Sequence, residues 1–190
     1  QGNHFTTPEY SLGAINIVRD PRNIITSLMN HFSINEEEAL KMMGNVHRNL
    51  RDRNDKENYA TYSFISSWDK NYRSWKLTKN INKILIKYED LENDIDNTFL
   101  KIIEFTNKIM KKNDGIDSKK LNRSIKSTEF DLLKKKEEKD GFEEAIYSSD
   151  EGKTKTFFNL GRNNDYKKLL TKKTIKSIEE IFGEEMKELG

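Results

Sequence analysis

Two short stretches of this chain are almost continuously apolar, and the apolar residues elsewhere fall mainly at helical spacing. Ala14–Val18 is the first, and its β-branched Ile15, Ile17 and Val18 predict a buried parallel strand that Pro21 ends. Lys83–Tyr88 is the second, centred on Ile84, Leu85 and Ile86 and closed by Glu89-Asp90. Between them, Ile24, Ile25, Leu28, Met29 and Phe32 recur every three or four residues, which predicts an amphipathic helix. Ser33-Ile34-Asn35-Glu36 reads as a capping box, followed by a helix whose face is Ala39, Leu40, Met43, Val46, His47 and Leu50. Arg51–Asn58 is all charged or amide and reads as exposed loop. Ile65, Trp68, Tyr72 and Trp75 then predict a long aromatic-faced helix.

After the second strand, Asp94 is placed to cap a helix carrying Ile95, Phe99, Ile102, Ile103 and Ile109. Asn113-Asp114-Gly115 is a turn, Ser118 opens a helix with Leu121 and Ile125, and Thr128 opens another reaching Lys139. From Gly141 to about Lys168 the periodicity fails, and loops of that length are uncommon and often functional. Ile175, Ile178, Ile181, Phe182 and Met186 make a closing amphipathic helix. Strand, helices, strand, helix is the order of a parallel sheet with crossovers, so the expected class is α/β. The length is that of one domain, residues 1–190.

Composition tests that reading. Hydrophobic content is 34% against 35% charged, which raises the question of disorder. The 34 basic and 32 acidic residues nearly cancel, however, and ten Phe, seven Tyr and two Trp supply core material, so the chain reads as folded. A net charge of +2 makes no long-range case for nucleic acid or a membrane surface. With no cysteine there is no disulfide or thiolate metal site, which suits a reducing, cytoplasmic setting. No apolar run approaches a membrane span.

The candidate chemistry gathers at the ends of predicted elements. Arg19 leaves the carboxyl end of the first strand, the chain turns at Asp20-Pro21, and Ser27 follows about two helical turns on. Open α/β sheets bind ligands outside the carboxyl ends of their strands. A guanidinium grips a phosphate through two parallel hydrogen bonds, which a lysine's point charge does not. The plainer alternative is an ion pair of Arg19 or Arg22 with Asp20, and a helix-surface serine. Tyr88 is expected at the same sheet edge, either against a purine or as a half-buried strand residue. In Thr128-Glu129-Phe130, Thr128 reads as an N-cap, and Phe130 either packs or stacks on adenine. From Phe157 to Lys167 two aromatics anchor a Gly/Asn-rich bend. Its amides would form an anion nest beside Arg162, or the segment is a surface loop pinned by Phe157 and Phe158.

In this order the four pieces resemble the cytosolic-type sulfotransferase family, in a bacterial-like form, over nearly all of the chain. Ile17-Val18-Arg19-Asp20-Pro21-Arg22-Asn23 through Ser27 is similar to that family's 3′-phosphate motif, and Tyr88-Glu89-Asp90-Leu91 to its tyrosine motif. Thr128-Glu129-Phe130 resembles an adenine-contacting pair, and Phe157 to Lys167 the C-terminal loop. Ser67-Trp68 and Phe182-Gly183-Glu184-Glu185-Met186 look familial as well. The resemblance implies a P-loop NTPase-like parallel sheet flanked by helices. It further implies in-line transfer of a sulfuryl group, without metal, from 3′-phosphoadenosine 5′-phosphosulfate to the hydroxyl or amine of a small-molecule acceptor, leaving PAP. Arg19 and Ser27 would hold the donor's 3′-phosphate, and Tyr88, Thr128 and Phe130 its adenine. The loop at Gly161 and Arg162 would close over the 3′-phosphate.

The departures are specific. Asn159 and Leu160 stand where the family has Arg-Lys, leaving Arg162 as the compensating cation; Asn164 replaces a glycine and Tyr166 a tryptophan. The family's Pro-Lys-Ser-Gly-Thr loop, with its catalytic lysine, and its Lys-Thr-His segment, with its catalytic base, have no counterpart. Gly152-Lys153-Thr154 imitates the end of a phosphate loop, but Tyr147 sits where the leading glycine belongs and no strand is expected before it. His4 is a weak substitute for the base, and His31 and His47 fall on predicted helices, so no catalytic residue is assigned. The expectation is the C-terminal two-thirds of such a domain, without the first strand and phosphate loop and inactive alone. Its open sheet edge would favour homo-oligomers. The rivals are a nucleotide or small-molecule kinase of related fold, using ATP and magnesium, and a non-catalytic nucleotide-binding or assembly module. The stripe Trp68, Tyr72 and Trp75 lines an acceptor pocket or packs the core.

Overall fold

The computed structural model of the protein describes residues 9–50, 63–113, 115–143, 145, 147–148 and 153–190. His4, the Arg51–Asn58 loop, Asp114 and Gly152 lie outside them. In chain order the elements are β1 (Gly13–Val18), α1 (Pro21–Phe32), α2 (Glu36–Met43), β2 (Asn49–Leu50), β3 (Ser63–Phe64) and α3 (Trp68–Leu77). Then come β4 (Asn82–Lys87), α4 (Tyr88–Asn93), α5 (Ile95–Ile109), α6 (Ser118–Ser127), α7 (Phe130–Asp140), β5 (Tyr147–Ser148) and β6 (Lys153–Thr154). A 3-10 turn (Gly161–Asn163), α8 (Tyr166–Leu169) and α9 (Lys172–Leu189) complete the chain. Contacts gather into two compact units. One holds the chain up to Arg19 with Thr78–Ala145 and Thr156–Arg162; the other holds Asp20–Leu77, Ile146–Lys155 and Asn163–Gly190.

The first unit is built on β1 and β4, which pair in parallel with Gly13 opposite Asn82 and Val18 opposite Lys87. The parallel strands are as expected, but β1 is not the buried strand its composition predicts. Val18 is buried, whereas Ile15 and Ile17 are 45% and 53% exposed, because among the described residues β1 pairs with β4 alone. Helix α5 packs near the start of β1. A Cβ on Gly13 would fall 2.9 Å from Ile109, 3.0 Å from the Asn82 carbonyl oxygen and 3.1 Å from Phe105, so a larger residue there would have to push its neighbours aside. Asp94 caps α5 as expected, its carboxylate accepting from the Asn97 amide. Helix α6 does begin at Ser118, but its cap is Asp117, which accepts from the amides of Lys119 and Lys120. Thr128 is not the N-cap of α7. It closes α6, its hydroxyl donating back to the carbonyls of Ser124 and Ile125, and α7 begins two residues later at Phe130.

The second unit packs α1, α2 and α9 around Ile25, Leu28, Ala39, Met43, Leu170, Ile178 and Phe182. Asp20 caps α1 by accepting from the Arg22 amide, Pro21 supplies the first helical position, and Ser33 ends the helix in the left-handed region at φ 56°. Because Ser33 is used there, the capping box of α2 is Asn35 with Glu38, two residues later than expected. Gly44 stops α2, so Val46 and His47 lie in a turn and not on the helix face; His47 is exposed. Strands β2 and β3 pair antiparallel, as do β5 and β6. Lys153-Thr154 thus lies on a strand, and a strand, β5, does precede it. Helix α3 has ten residues, shorter than the aromatic spacing implies, and excludes Ile65. Two of its aromatics serve the core: Trp68 stacks on buried Tyr72 and meets Phe182 edge-on.

Candidate functional site

Parallel pairing brings the carboxyl ends of β1 and β4 to one edge, and the next residues of the chain are Arg19 and Tyr88. The strand stops at Lys87, so Tyr88 is the first residue of α4 and not the last of the strand. The Arg19 guanidinium lies over the Tyr88 ring, 4.1 Å from its centre, a cation–π contact. One helical turn further, Glu92 brings its carboxylate to 3.8 Å from Arg19 Nη2, an ion pair longer than a hydrogen bond. The Nε of Arg19 is buried and has no hydrogen-bond partner among the described residues. A buried guanidinium donor left without an acceptor is costly, which makes Arg19 an under-used cation. Burial pushes the Glu92 carboxyl above its ordinary pKa, with Glu89 adding to the rise, against the opposing pull of the Arg19 and Arg162 charges.

The loop that carries Arg162 is anchored on α7. Buried Glu137 accepts the backbone amides of Phe157 and Phe158 at 2.5 and 2.9 Å, and Lys134 Nζ reaches the Asn159 carbonyl at 3.4 Å. Phe142, Phe157 and Phe158 pack with one another, and Phe158 meets Phe130 edge-on at 6.0 Å. Gly161 sits at φ 52°, and a Cβ there would come within 2.8 Å of the Phe130 ring. Only glycine satisfies both the backbone and the ring, so the bend and Phe130 define each other. The first unit therefore brings Arg19 together with Tyr88 and Glu92, and Phe130 together with Gly161, with Arg162 exposed but electrostatically coupled to Glu92. Thr128 is exposed, its hydroxyl spent on helix carbonyls.

In the second unit, Ser27 is exposed on α1. Its hydroxyl donates to the Asn23 carbonyl at 3.1 Å and accepts from Asn164 Nδ2 at 3.3 Å. Asn164 also donates to the Asn23 carbonyl at 3.0 Å and accepts the buried Thr26 hydroxyl at 2.5 Å, so it fastens the first turns of α1. Arg22 contrasts with Arg19. Its Nε and Nη2 clasp Asp20 at 2.7–3.1 Å, Nη1 meets Glu179 at 2.9 Å, and its Cζ lies 4.3 Å from the Tyr166 ring centre. Hydrogen bonding to Asp20 holds its pKa above the ordinary arginine value. The strand-end ion pair expected at Asp20 is thus made by Arg22. His31 is on α1, its ring edge-on to Phe32 at 4.6 Å. No group of three His, Asp or Glu side chains suited to a metal ion occurs among the described residues.

The model of the sulfotransferase domain matches residues 9–190. The chain belongs to the sulfotransferase domain family. Two solved structures illustrate the fold. Mouse sulfotransferase SULT7A1 complexed with PAP is 21% identical, with a TM-score of 0.62 over 92% of this chain and 58% of that one. Retinol dehydratase in complex with androsterone and inactive cofactor PAP is 15% identical, with a TM-score of 0.62 over 90% and 46%. This chain therefore spans about half the length of each. At such identities the likeness establishes the sulfotransferase-type α/β fold, in agreement with the expected class. No curated protein sequence matches the chain.

Three residues of this sulfotransferase-family chain bear on the site without standing among its sequence-predicted residues. Glu92 had a usable signal, its four-residue step from Tyr88. Asn164 was visible as a departure from the family glycine, and the structure gives it hydrogen-bond partners on α1. Glu137 lies in the charged run from Lys134 to Asp140, where nothing local marks it.

Proposed function

We propose that this chain is the nucleotide-recognising part of a sulfotransferase, binding 3′-phosphoadenosine 5′-phosphosulfate and the product adenosine 3′,5′-bisphosphate, PAP. The observation that carries the reading is Arg19: a strand-end arginine whose buried Nε has no partner among the described residues, stacked on Tyr88 and only loosely paired with Glu92. A phosphate offers the two acceptor oxygens that a guanidinium fork matches, and charge-assisted pairs of this kind are the strong ones. Family membership supports the same ligand class, as do the two structural neighbours, both solved with PAP.

In this reading Arg19 and Arg162 bind phosphate, Gly161 shapes the loop that presents Arg162, and Tyr88 and Phe130 offer ring faces to adenine. Ser27 and Thr128 join them on the family resemblance. Thr128 must exchange its helix carbonyls for the ligand, and the Ser27 hydroxyl is steadied by Asn164. The reaction served is sulfuryl transfer to a hydroxyl or amine of a small-molecule acceptor, in a cytoplasmic setting. No described residue is assigned to deprotonating the acceptor. Isothermal titration of the chain with PAP and with ATP plus magnesium tests the reading. PAP should bind at least tenfold more tightly; a preference for ATP would instead identify a kinase-type site.

A further inference from the structure

Among the described residues Glu92 pairs with Arg19, and it does so poorly. At 3.8 Å the pair has no hydrogen bond, whereas Arg22 and Asp20 make three side-chain hydrogen bonds at 2.7–3.1 Å. The first pair is exchangeable by geometry; the second is a fixed cap. Tyr88 and Glu92, one turn apart on α4, both face Arg19, so the guanidinium is held by a ring face and a distant carboxylate while its Nε has no partner among the described residues.

We propose that Glu92 is an internal counter-anion of the Arg19 site, which an incoming phosphate must displace, and that it thereby sets the affinity threshold for the donor nucleotide. This rests on the donor-site reading above and adds a residue to it. The charged groups around Glu92 are Arg19 at the end of β1, Glu89 on α4 and Arg162 in the 3-10 turn. Two of them attract it and one repels it. Burial already disfavours its charge, so a second anion on Arg19 forces Glu92 either outward into solvent or into its protonated form. A permanent structural partner of Arg19 would behave in the opposite way: its removal would loosen the guanidinium and weaken phosphate binding.

The test is isothermal titration with PAP of the wild-type chain, Glu92→Gln, Glu92→Ala and Arg19→Ala, with thermal unfolding of each to confirm folding. Two neutral replacements guard against a Gln side chain that re-pairs with Arg19. Both Glu92 variants should bind PAP about tenfold more tightly than wild type near neutral pH. The margin should narrow as the pH falls and wild-type Glu92 takes up a proton. Unchanged or weaker binding in both variants, with Arg19→Ala still losing affinity, overturns the counter-anion role and leaves the donor site standing. If the wild-type chain and Arg19→Ala are equally indifferent to PAP, the donor-site reading falls, and this proposal with it.

Discussion

Glu137 on α7 receives the backbone amide of Phe157 at 2.5 Å, and the same buried carboxylate takes the amide of Phe158 at 2.9 Å. Two amide donors converge on one side chain, so the segment leading to Gly161 and Arg162 is fixed to a helix at its root. Glu137→Ala leaves both amides without that acceptor, at a cost of about 1–3 kcal/mol for buried groups. Urea unfolding should show that loss. Limited proteolysis should cut between Phe157 and Arg162 faster in the variant than in wild type. An unchanged cleavage rate would mean that the phenylalanine cluster alone holds the loop.

Asn164 gives a second prediction. It bonds Asn23, Thr26 and Ser27, and Thr26 is buried. Asn164→Gly, which restores the family's usual residue, should destabilise the chain by about 1–3 kcal/mol in urea unfolding. A double-mutant cycle with Thr26→Val should show coupling of about 0.5–2 kcal/mol. Additive losses would show that the Thr26–Asn164 contact contributes nothing of its own.

Glu36 yields the pH dependence. Its burial works against the charged form, but hydrogen bonds from the hydroxyls of Thr174 and Thr171 and the Thr171 amide outweigh that and hold its pKa below the ordinary value. For a carboxylate with a lowered folded pKa, the stabilisation is present above the unfolded pKa and lost as pH falls through the folded one. Because the site is largely solvated, Glu36→Gln should cost only about 0.5–1 kcal/mol at neutral pH. The gap between wild type and variant should close in acid. A gap that persists below the carboxylate range would assign it to packing at the start of α9.

How much of this was legible in the sequence depends on whether the signal was local. The strand, the Asp20-Pro21 turn and α1 read correctly because proline and a capping aspartate act on their immediate neighbours. Asp94 read correctly for the same reason. The spacing puts the α2 cap at Ser33, but Ser33 is used in ending α1, and the cap falls at Asn35 with Glu38. Thr128 is not the N-cap its spacing predicts because its hydroxyl bonds backward to α6 and not forward. Composition correctly announced β1 and β4 but not that Ile15 and Ile17 would be exposed, which depends on how many neighbours β1 has. Strand-end logic places Arg19 and Tyr88 at one sheet edge, where the parallel pairing of β1 and β4 puts them. Glu137 carries no local signal, its partners lying 20 and 21 residues away, and Glu92 carries only its four-residue step from Tyr88, with Arg19 itself 73 residues away in sequence.

The central claim is that Arg19 is a phosphate-binding cation of a donor-nucleotide site. The most direct measurement is the affinity of the wild-type chain and of Arg19→Ala for PAP and for 5′-AMP, which lacks the 3′-phosphate. The account predicts that wild type prefers PAP by at least tenfold. It also predicts that Arg19→Ala loses about 30-fold or more in PAP affinity, the equivalent of about 2 kcal/mol or more for a charge-assisted pair, with 5′-AMP little affected. Equal loss for both nucleotides, or PAP binding that survives Arg19→Ala, would contradict it.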